Sequence, residues 1–125
     1  MSEARVVFYG FAVIYLVGVV AQFFLAGLAL FGSTSYDAHQ ALGYVLGIVA
    51  VVLLAIAFFT KLPRSLTGLS ITLLVLNVIQ IALLRADIAE IDALHVVNAL
   101  AIAFVANMLV HRSRRFLAAR MADQP

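Results

Sequence analysis

The chain has 125 residues, of which 66% are hydrophobic and 11% are charged, and its mean hydropathy is +1.14. Because soluble domains are about 45–50% apolar and about 25% charged, this composition excludes a water-soluble globular domain. The formal net charge is +2 and cysteine is absent. The lack of cysteine excludes disulfides, thiolate metal sites and covalently attached c-type heme.

Four long apolar runs occupy almost the whole chain. About 20 apolar residues span a bilayer, and backbone polar groups in lipid must be satisfied within their own segment, so each run predicts a transmembrane helix. The short links require antiparallel neighbours, and we therefore predict an all-α integral membrane protein with four transmembrane helices in an up-down-up-down bundle. The expected single domain has helices over about 6–31, 38–60, 65–85 and 92–111, followed by a basic tail over 112–125.

Basic residues mark one set of helix ends, at Arg5, Lys61, Arg64, Arg112, Arg114, Arg115 and Arg120. By the positive-inside rule both termini are expected in the cytoplasm, and the links after the first and third helices face outward. We predict a multi-pass protein of the bacterial cytoplasmic membrane. Its basic tail is expected to anchor in anionic headgroups and not to bind nucleic acid.

The first predicted helix contains Gln22, and the second opens with His39, two residues after Asp37. Gly43 and Gly47 follow His39 at intervals of four residues, which places them on the same helix face. We expect Asp37 to cap the second helix. The two glycines also form a G-x-x-x-G motif, which is typical of a face that docks another helix.

The second half of the chain repeats this pattern. The third predicted helix contains Gln80, and the fourth contains His95, which follows Asp92 by three residues. Asp92 is expected to cap the fourth helix or to orient the His95 ring. Ala99 and Ala103 lie below His95, so each histidine is predicted to stand above a strip of small residues that admits a flat macrocycle on edge.

His39 and His95 open helices of the same direction, so we expect them at similar depth on a diagonal of the bundle. Diagonal helices lie roughly 11–14 Å apart, a gap that two imidazoles ligating one metal can bridge. Heme b is the favoured ligand, because two imidazoles without a third protein ligand hold an isolated copper or zinc ion weakly. His111 lies about 24 Å from His95 along the helix and cannot join this site.

Polar amides within the predicted spans are expected to face inward: Gln22, Asn77, Gln80 and Asn98. They are predicted either to hydrogen-bond the ligand and its histidines or to join the helices to one another. Arg85 is the one basic residue in the outer links. It is placed either to pair with a heme propionate or to end the third helix by reaching the interface.

The placement of the two histidines resembles one four-helix half of heme A synthase, which implies axial-ligand roles for His39 and His95. That family also uses a glutamate before a histidine and outer cysteines; here no glutamate closely precedes His39 and cysteine is absent, so heme hydroxylation is not implied. The segments 37–44 (DAHQALGY) and 94–99 (LHVVNA) resemble more closely the motifs of a family of small bacterial four-span membrane proteins. This second likeness covers nearly the whole chain and implies no activity.

The residues together predict a membrane-embedded b-type cytochrome for electron transfer or heme carriage. With both axial positions of the iron filled by histidine, no open site is left for catalysis. The expected partners are the lipid bilayer and a redox protein or larger membrane complex, with a homo-oligomer left open. The alternatives are an accessory subunit of a membrane complex, and a protein that binds a chlorophyll-type pigment through one histidine per magnesium.

Overall fold

The computed structural model describes residues 2–83 and 89–122, and their side chains over 3–83 and 93–119. Within these residues the chain forms four α-helices: α1 (Ser2–Leu30), α2 (Asp37–Phe59), α3 (Arg64–Leu83) and α4 (Ala89–Ala122). All four helices are long and apolar enough to cross a membrane. The predictions of an all-α bundle and of four candidate membrane spans are therefore confirmed.

The helices pack in a closed square. Each contacts its two neighbours in the order α1, α2, α3, α4 and back to α1. The histidine-bearing helices α2 and α4 therefore face each other across one diagonal, and α1 and α3 face each other across the other. One end of the bundle carries the N-terminus and the α2–α3 link, and we call it the basic end. The opposite end, where α2 and α4 begin, is the histidine end.

The interior is built from one row of side chains on each helix, spaced alternately by three and four residues. This spacing is typical of helices that cross at about 20° in a left-handed bundle. The buried rows comprise Phe8, Ala12, Tyr15 and Val19 on α1, Leu46, Ala50, Leu53 and Ala57 on α2, Leu66, Ser70, Leu73 and Asn77 on α3, and Ile102, Ala106, Leu109 and Ser113 on α4.

The first two helices end in the same hydrogen-bonded turn. After α1, the amide of Ser33 donates to the carbonyl of Leu28 and Gly32 adopts a left-handed φ of 76°. After α2, the amide of Leu62 donates to the carbonyl of Ala57, and Lys61 adopts a φ of 53°. Both are Schellman turns, in which a left-handed residue lets the last carbonyls find donors. They reverse the chain within a few residues and produce the antiparallel packing.

Helix α4 is longer than predicted, because it continues through the expected basic tail to Ala122. The segment after Val110 contains no glycine, and no proline before Pro125, so nothing in it opposes a helix. Phe116 packs against the core, and the Arg5 guanidinium lies 4.7 Å from the centre of its ring. These contacts hold the end of α4 against α1.

Candidate functional site: the paired histidines

The structure brings His39 and His95 together across the α2–α4 diagonal at the histidine end. Their ring centroids lie 6.2 Å apart, and the ring planes are inclined at 59°. Both side chains are partly buried. Because the two residues are 56 positions apart in the chain, only the diagonal packing of α2 and α4 places them in contact distance.

Each histidine is oriented by a backbone carbonyl of the preceding helix. His39 Nδ1 lies 3.2 Å from the carbonyl oxygen of Gln22, and His95 Nδ1 lies 3.2 Å from the carbonyl oxygen of Gln80. A carbonyl oxygen only accepts hydrogen bonds, so Nδ1 carries the proton in both contacts. In a neutral ring with that tautomer, the lone pair is on Nε2.

The side chain of Gln80 joins α3 to α4 around His95. Its Nε2 donates to His95 Nε2 at 2.9 Å and to the His95 carbonyl at 3.1 Å. Its Oε1 accepts from Asn98 Nδ2 at 2.5 Å, and the same nitrogen donates to the carbonyl of Leu76 at 2.9 Å. Because His95 Nε2 accepts the N–H of Gln80, this nitrogen carries a lone pair and not a proton.

The half of the site around His39 lacks the counterpart of this network. Asn98 follows His95 by three residues, and the residue three positions after His39 is Leu42. Gln22 Oε1 is buried and has no hydrogen-bond partner among the described residues. A Cβ on Gly43 would lie 3.0 Å from Gln22 Nε2, so the glycine leaves room for the amide. An unsatisfied buried acceptor costs about 1–3 kcal/mol.

The start of α2 differs from the prediction. The helix begins at Asp37, and the preceding residue, Tyr36, caps it without a side-chain hydrogen bond. Asp37 is thus the first helical residue and not the cap; its carboxylate accepts from Ser35 Oγ at 2.8 Å and complements the positive helix end. Tyr36, which the sequence analysis did not single out, contacts His39 edge-on with ring centroids 6.2 Å apart.

Two further predicted roles concern the start of α4. This helix begins at Ala89, three residues before Asp92, so Asp92 lies within the first turns of the helix and does not cap it. The side chain of Asp92 and the whole of Arg85 lie outside the described residues. Their predicted roles in orienting His95 and binding a propionate stay predictions.

The strip of small residues below the histidines is shorter than predicted. The inner rows follow His39, Gly43 and Leu46 on α2, and His95, Asn98 and Ile102 on α4. A constant interval of four residues rotates by about 40° per step around a helix with 3.6 residues per turn. Residues two steps below each histidine therefore turn away from the diagonal, and this applies to Gly47 and Ala103.

The four small residues accordingly have different surroundings. Gly43 faces Gln22, whereas a Cβ on Gly47 would meet no atom within 4 Å. Ala99 is partly buried, and Ala103 packs against the core from its edge. Of the two glycines, Gly43 alone provides space that another described side chain of the site uses.

A polar bridge closes the bundle below the site. Tyr15 on α1 reaches across the second diagonal, and its hydroxyl accepts from Asn77 Nδ2 at 2.5 Å. The same amide nitrogen donates to the carbonyl of Leu73 at 2.8 Å. Asn77 was predicted to face inward and does so. No sequence feature distinguishes Tyr15 from the other aromatic residues of the apolar runs, so its role was not predicted. With Leu46 and Ile102 buried at this level, the interior beneath the histidines is filled.

The chemistry available at the histidine end is that of two imidazoles flanked by two amides. Within the described parts of the chain, no group of three or more histidine, cysteine, aspartate or glutamate side chains is arranged to hold a metal ion. The pair can thus give a metal two nitrogen ligands only. A metal bound here needs its remaining ligands from a source other than these side chains.

The chain belongs to DUF6220, a family of unknown function, which matches residues 22–87, just over half of its length. The matched segment includes Gln22, His39 and Gln80, whereas His95 and Asn98 lie beyond it. No curated protein and no solved structure matches the chain. The resemblance to a family without assigned activity is thus supported, and the likeness to heme A synthase stays a prediction.

Proposed function

We propose that this DUF6220 member is a membrane-embedded b-type cytochrome in which His39 and His95 are the axial ligands of one heme. The observation that carries the proposal is the 6.2 Å separation of the ring centroids. An imidazole nitrogen ligates a metal at about 2 Å, and that nitrogen lies about 1 Å from its ring centre, so two ligands on opposite sides of one metal place their centroids roughly 6 Å apart.

The hydrogen bonds of the two rings support the same role. Histidines that ligate a metal through one nitrogen usually donate the other N–H to a carbonyl or carboxylate, which fixes the tautomer and the ring orientation. The Gln22 and Gln80 carbonyls accept in this way from the two Nδ1 atoms. Both Nε2 atoms are thereby left as the metal-binding nitrogens.

The donor set favours a porphyrin over an isolated ion. Two imidazoles make a weak site for zinc or copper, whereas heme brings four nitrogen ligands of its own and needs two from the protein. A metal held at His95 Nε2 would take the place of the N–H that Gln80 donates there, while the Gln80 side-chain oxygen could still accept from Asn98. The closure at Tyr15, Leu46 and Ile102 confines the macrocycle to the last two turns at the histidine end, about 10 Å of helix.

Both axial positions would be filled by protein, which favours electron transfer or heme carriage over catalysis at the iron. Burial and hydrogen bonds to the imidazoles would tune the reduction potential. We place the basic end in the cytoplasm of a bacterium by the positive-inside rule, so that the heme lies near the outer face of the inner membrane. A redox partner or a larger membrane complex would approach from that side.

The rival role as an accessory subunit relied on Gly43 and Gly47 as a docking face. Gly43 faces Gln22 inside the bundle, whereas Gly47 is open, so the two glycines do not present one continuous docking face. A chlorophyll-type pigment bound through a single histidine does not require the two rings to lie close together. The visible absorption spectrum distinguishes the accessory subunit and the pigment-binding protein from the cytochrome.

The test is the visible absorption spectrum of protein expressed with heme supplied and purified in detergent. We expect a Soret band and, after reduction, sharp α and β bands. His39→Ala and His95→Ala should each abolish this spectrum, whereas His111→Ala should retain it. His111 is the matched control because it is an exposed histidine of α4 near the basic end.

Circular dichroism and gel filtration must show that each variant is folded. A folded, colourless wild-type protein, or a heme spectrum that survives in both His39→Ala and His95→Ala, refutes the proposal. A long-wavelength band without a heme spectrum would instead favour the pigment-binding role.

A further inference from the structure

The outward face of α4 changes character midway along the helix. Its exposed row contains Leu100 and Phe104, which are 60% and 65% exposed, and is apolar up to that point. The row then continues through Asn107, His111 and Arg115, all of which are exposed. Residues four apart lie on one helix face, so these three side chains form a continuous polar stripe that leads to the basic end.

Asn107 is the unusual member of this stripe. It lies about 12 Å along the helix from Arg115, so with Arg115 at the headgroup level Asn107 lies deeper, in the hydrocarbon region. A polar group that faces lipid there without a partner is costly, and polar residues within spans normally face the interior. Asn77 and Asn98 obey this rule and are hydrogen-bonded within the bundle. No hydrogen bond joins the Asn107 side chain to another described residue.

The stripe forms part of a groove. A shallow depression of about 340 Å³, open to the outside, is lined by Asn107, Met108, His111, Arg112 and Arg115. A second open depression of about 320 Å³ shares His111 and Arg115 with it and is also lined by Arg114 and Ala118. No aspartate or glutamate occurs between residues 93 and 122, and three arginines line this surface.

The orientation of the stripe is set by contacts on the opposite side of α4. Ser113 is 2% exposed and faces the interior. Phe116 packs against the core and lies under the Arg5 guanidinium. The face that carries Asn107 and His111 therefore points outward, away from the bundle.

We propose that this groove binds one anionic diacyl phospholipid. Arg112 and Arg115 contact the phosphate, and Asn107 donates to an ester carbonyl of the lipid, which lies deeper in the membrane than the phosphate. His111 lies between these two levels. The ester contact gives the Asn107 amide a partner that the described residues do not provide, and the arginines provide the selectivity for an anionic headgroup.

A second copy of the chain is a less suitable occupant of the same face. In a two-fold dimer about an axis along the membrane normal, equivalent residues meet at the same level. The arginines of both copies would then lie opposite one another, and like charges in an interface are unfavourable. An anionic lipid is complementary to the groove in both charge and polarity.

The experiment counts lipids bound to the purified full-length chain by native mass spectrometry, with phosphatidylglycerol or phosphatidylcholine of identical acyl chains added to the detergent. We expect one phosphatidylglycerol to bind more tightly than phosphatidylcholine. Arg112→Gln combined with Arg115→Gln should weaken this binding by roughly tenfold or more. Asn107→Leu, which leaves the charge unchanged, should weaken it severalfold.

The matched control is Lys61→Gln combined with Arg64→Gln, which removes one charge from the α2–α3 link and one from the first residue of α3, at the same end of the bundle. We expect this control to bind phosphatidylglycerol within about twofold of the wild type, since neither residue lines the groove. Equal losses in the control and in the arginine pair would show only a general charge effect and would overturn the proposal. An unchanged affinity in Asn107→Leu would also overturn it.

Two further outcomes concern the occupant. Excess inorganic phosphate should not displace the lipid, because it reproduces the arginine contacts alone; complete displacement would contradict a diacyl lipid site. A dimer that dissociates in Asn107→Leu and excludes phosphatidylglycerol would assign the face to a second copy. Circular dichroism should be unchanged in all variants, because every substituted residue is exposed or lies in the α2–α3 link.

Discussion

Replacement of Gln22 or Gln80 by leucine makes the same chemical change on either side of the histidine pair, and the structure predicts opposite effects on stability. Gln80 makes three side-chain hydrogen bonds, with His95 Nε2, the His95 carbonyl and Asn98 Nδ2. Interhelical hydrogen bonds in membranes contribute about 0.6 kcal/mol each, so Gln80→Leu should lower the free energy of unfolding by about 2 kcal/mol.

Gln22→Leu should have the opposite sign. The substitution removes Oε1, a buried acceptor without a partner among the described residues, and an unsatisfied acceptor costs about 1–3 kcal/mol. The carbonyl of Gln22 that accepts from His39 Nδ1 is backbone and is retained. Because leucine is shorter than glutamine and leaves the space next to Gly43 partly unfilled, we expect a net gain of about 1 kcal/mol.

The assay is equilibrium unfolding in mixed micelles, followed by the loss of helical circular dichroism as the denaturing detergent is increased. Leu42→Asn provides an internal check, since an amide at that position offers Gln22 Oε1 the donor that Asn98 offers Gln80. In the background of Leu42→Asn, Gln22→Leu should no longer stabilise the bundle. Equal destabilisation by Gln22→Leu and Gln80→Leu would refute the reasoning, because it would mean that Gln22 is fully hydrogen-bonded.

Two further predictions concern packing. Gly18→Ala should destabilise the bundle by about 1–2 kcal/mol, because the added Cβ would lie 2.6 Å from Leu46 Cδ2. In Gly47→Ala the added Cβ meets no atom within 4 Å, so this substitution should stabilise α2 by about 0.5–1 kcal/mol through helix propensity. The same detergent titration measures both variants, and equal effects would contradict the α1–α2 packing. Tyr15→Phe should cost about 0.6–1 kcal/mol, because Asn77 loses one of its two partners, and Asn77→Leu in a Tyr15→Phe background should add less than it does alone. Additive effects would show that the two residues do not interact.

Much of the architecture follows from the sequence alone. Four apolar runs of spanning length, separated by short links, permit little other than antiparallel helices. An even number of helix reversals between His39 and His95 places the two histidines at the same end of the bundle. A helix with a glutamine followed by a helix that opens with a histidine occurs twice in the sequence, and this repeat indicated the two hairpins. The structure adds that the backbone carbonyl of each glutamine faces its histidine.

The rotation of each helix about its own axis was decided by the tertiary structure. Whether Gly47 or Leu46 faces the interior, whether Ala103 or Ile102 does, and whether Tyr15 reaches Asn77 all depend on that rotation. In a soluble bundle an apolar stripe identifies the inner face. Here lipid makes the outer face as apolar as the interior, with Ile14, Val51 and Phe104 exposed, so hydropathy does not distinguish them. Only the packing of side chains from all four helices determines which rows face inward and brings the two histidines together across the diagonal. The same packing leaves Gln22 Oε1 without a hydrogen-bond partner among the described residues.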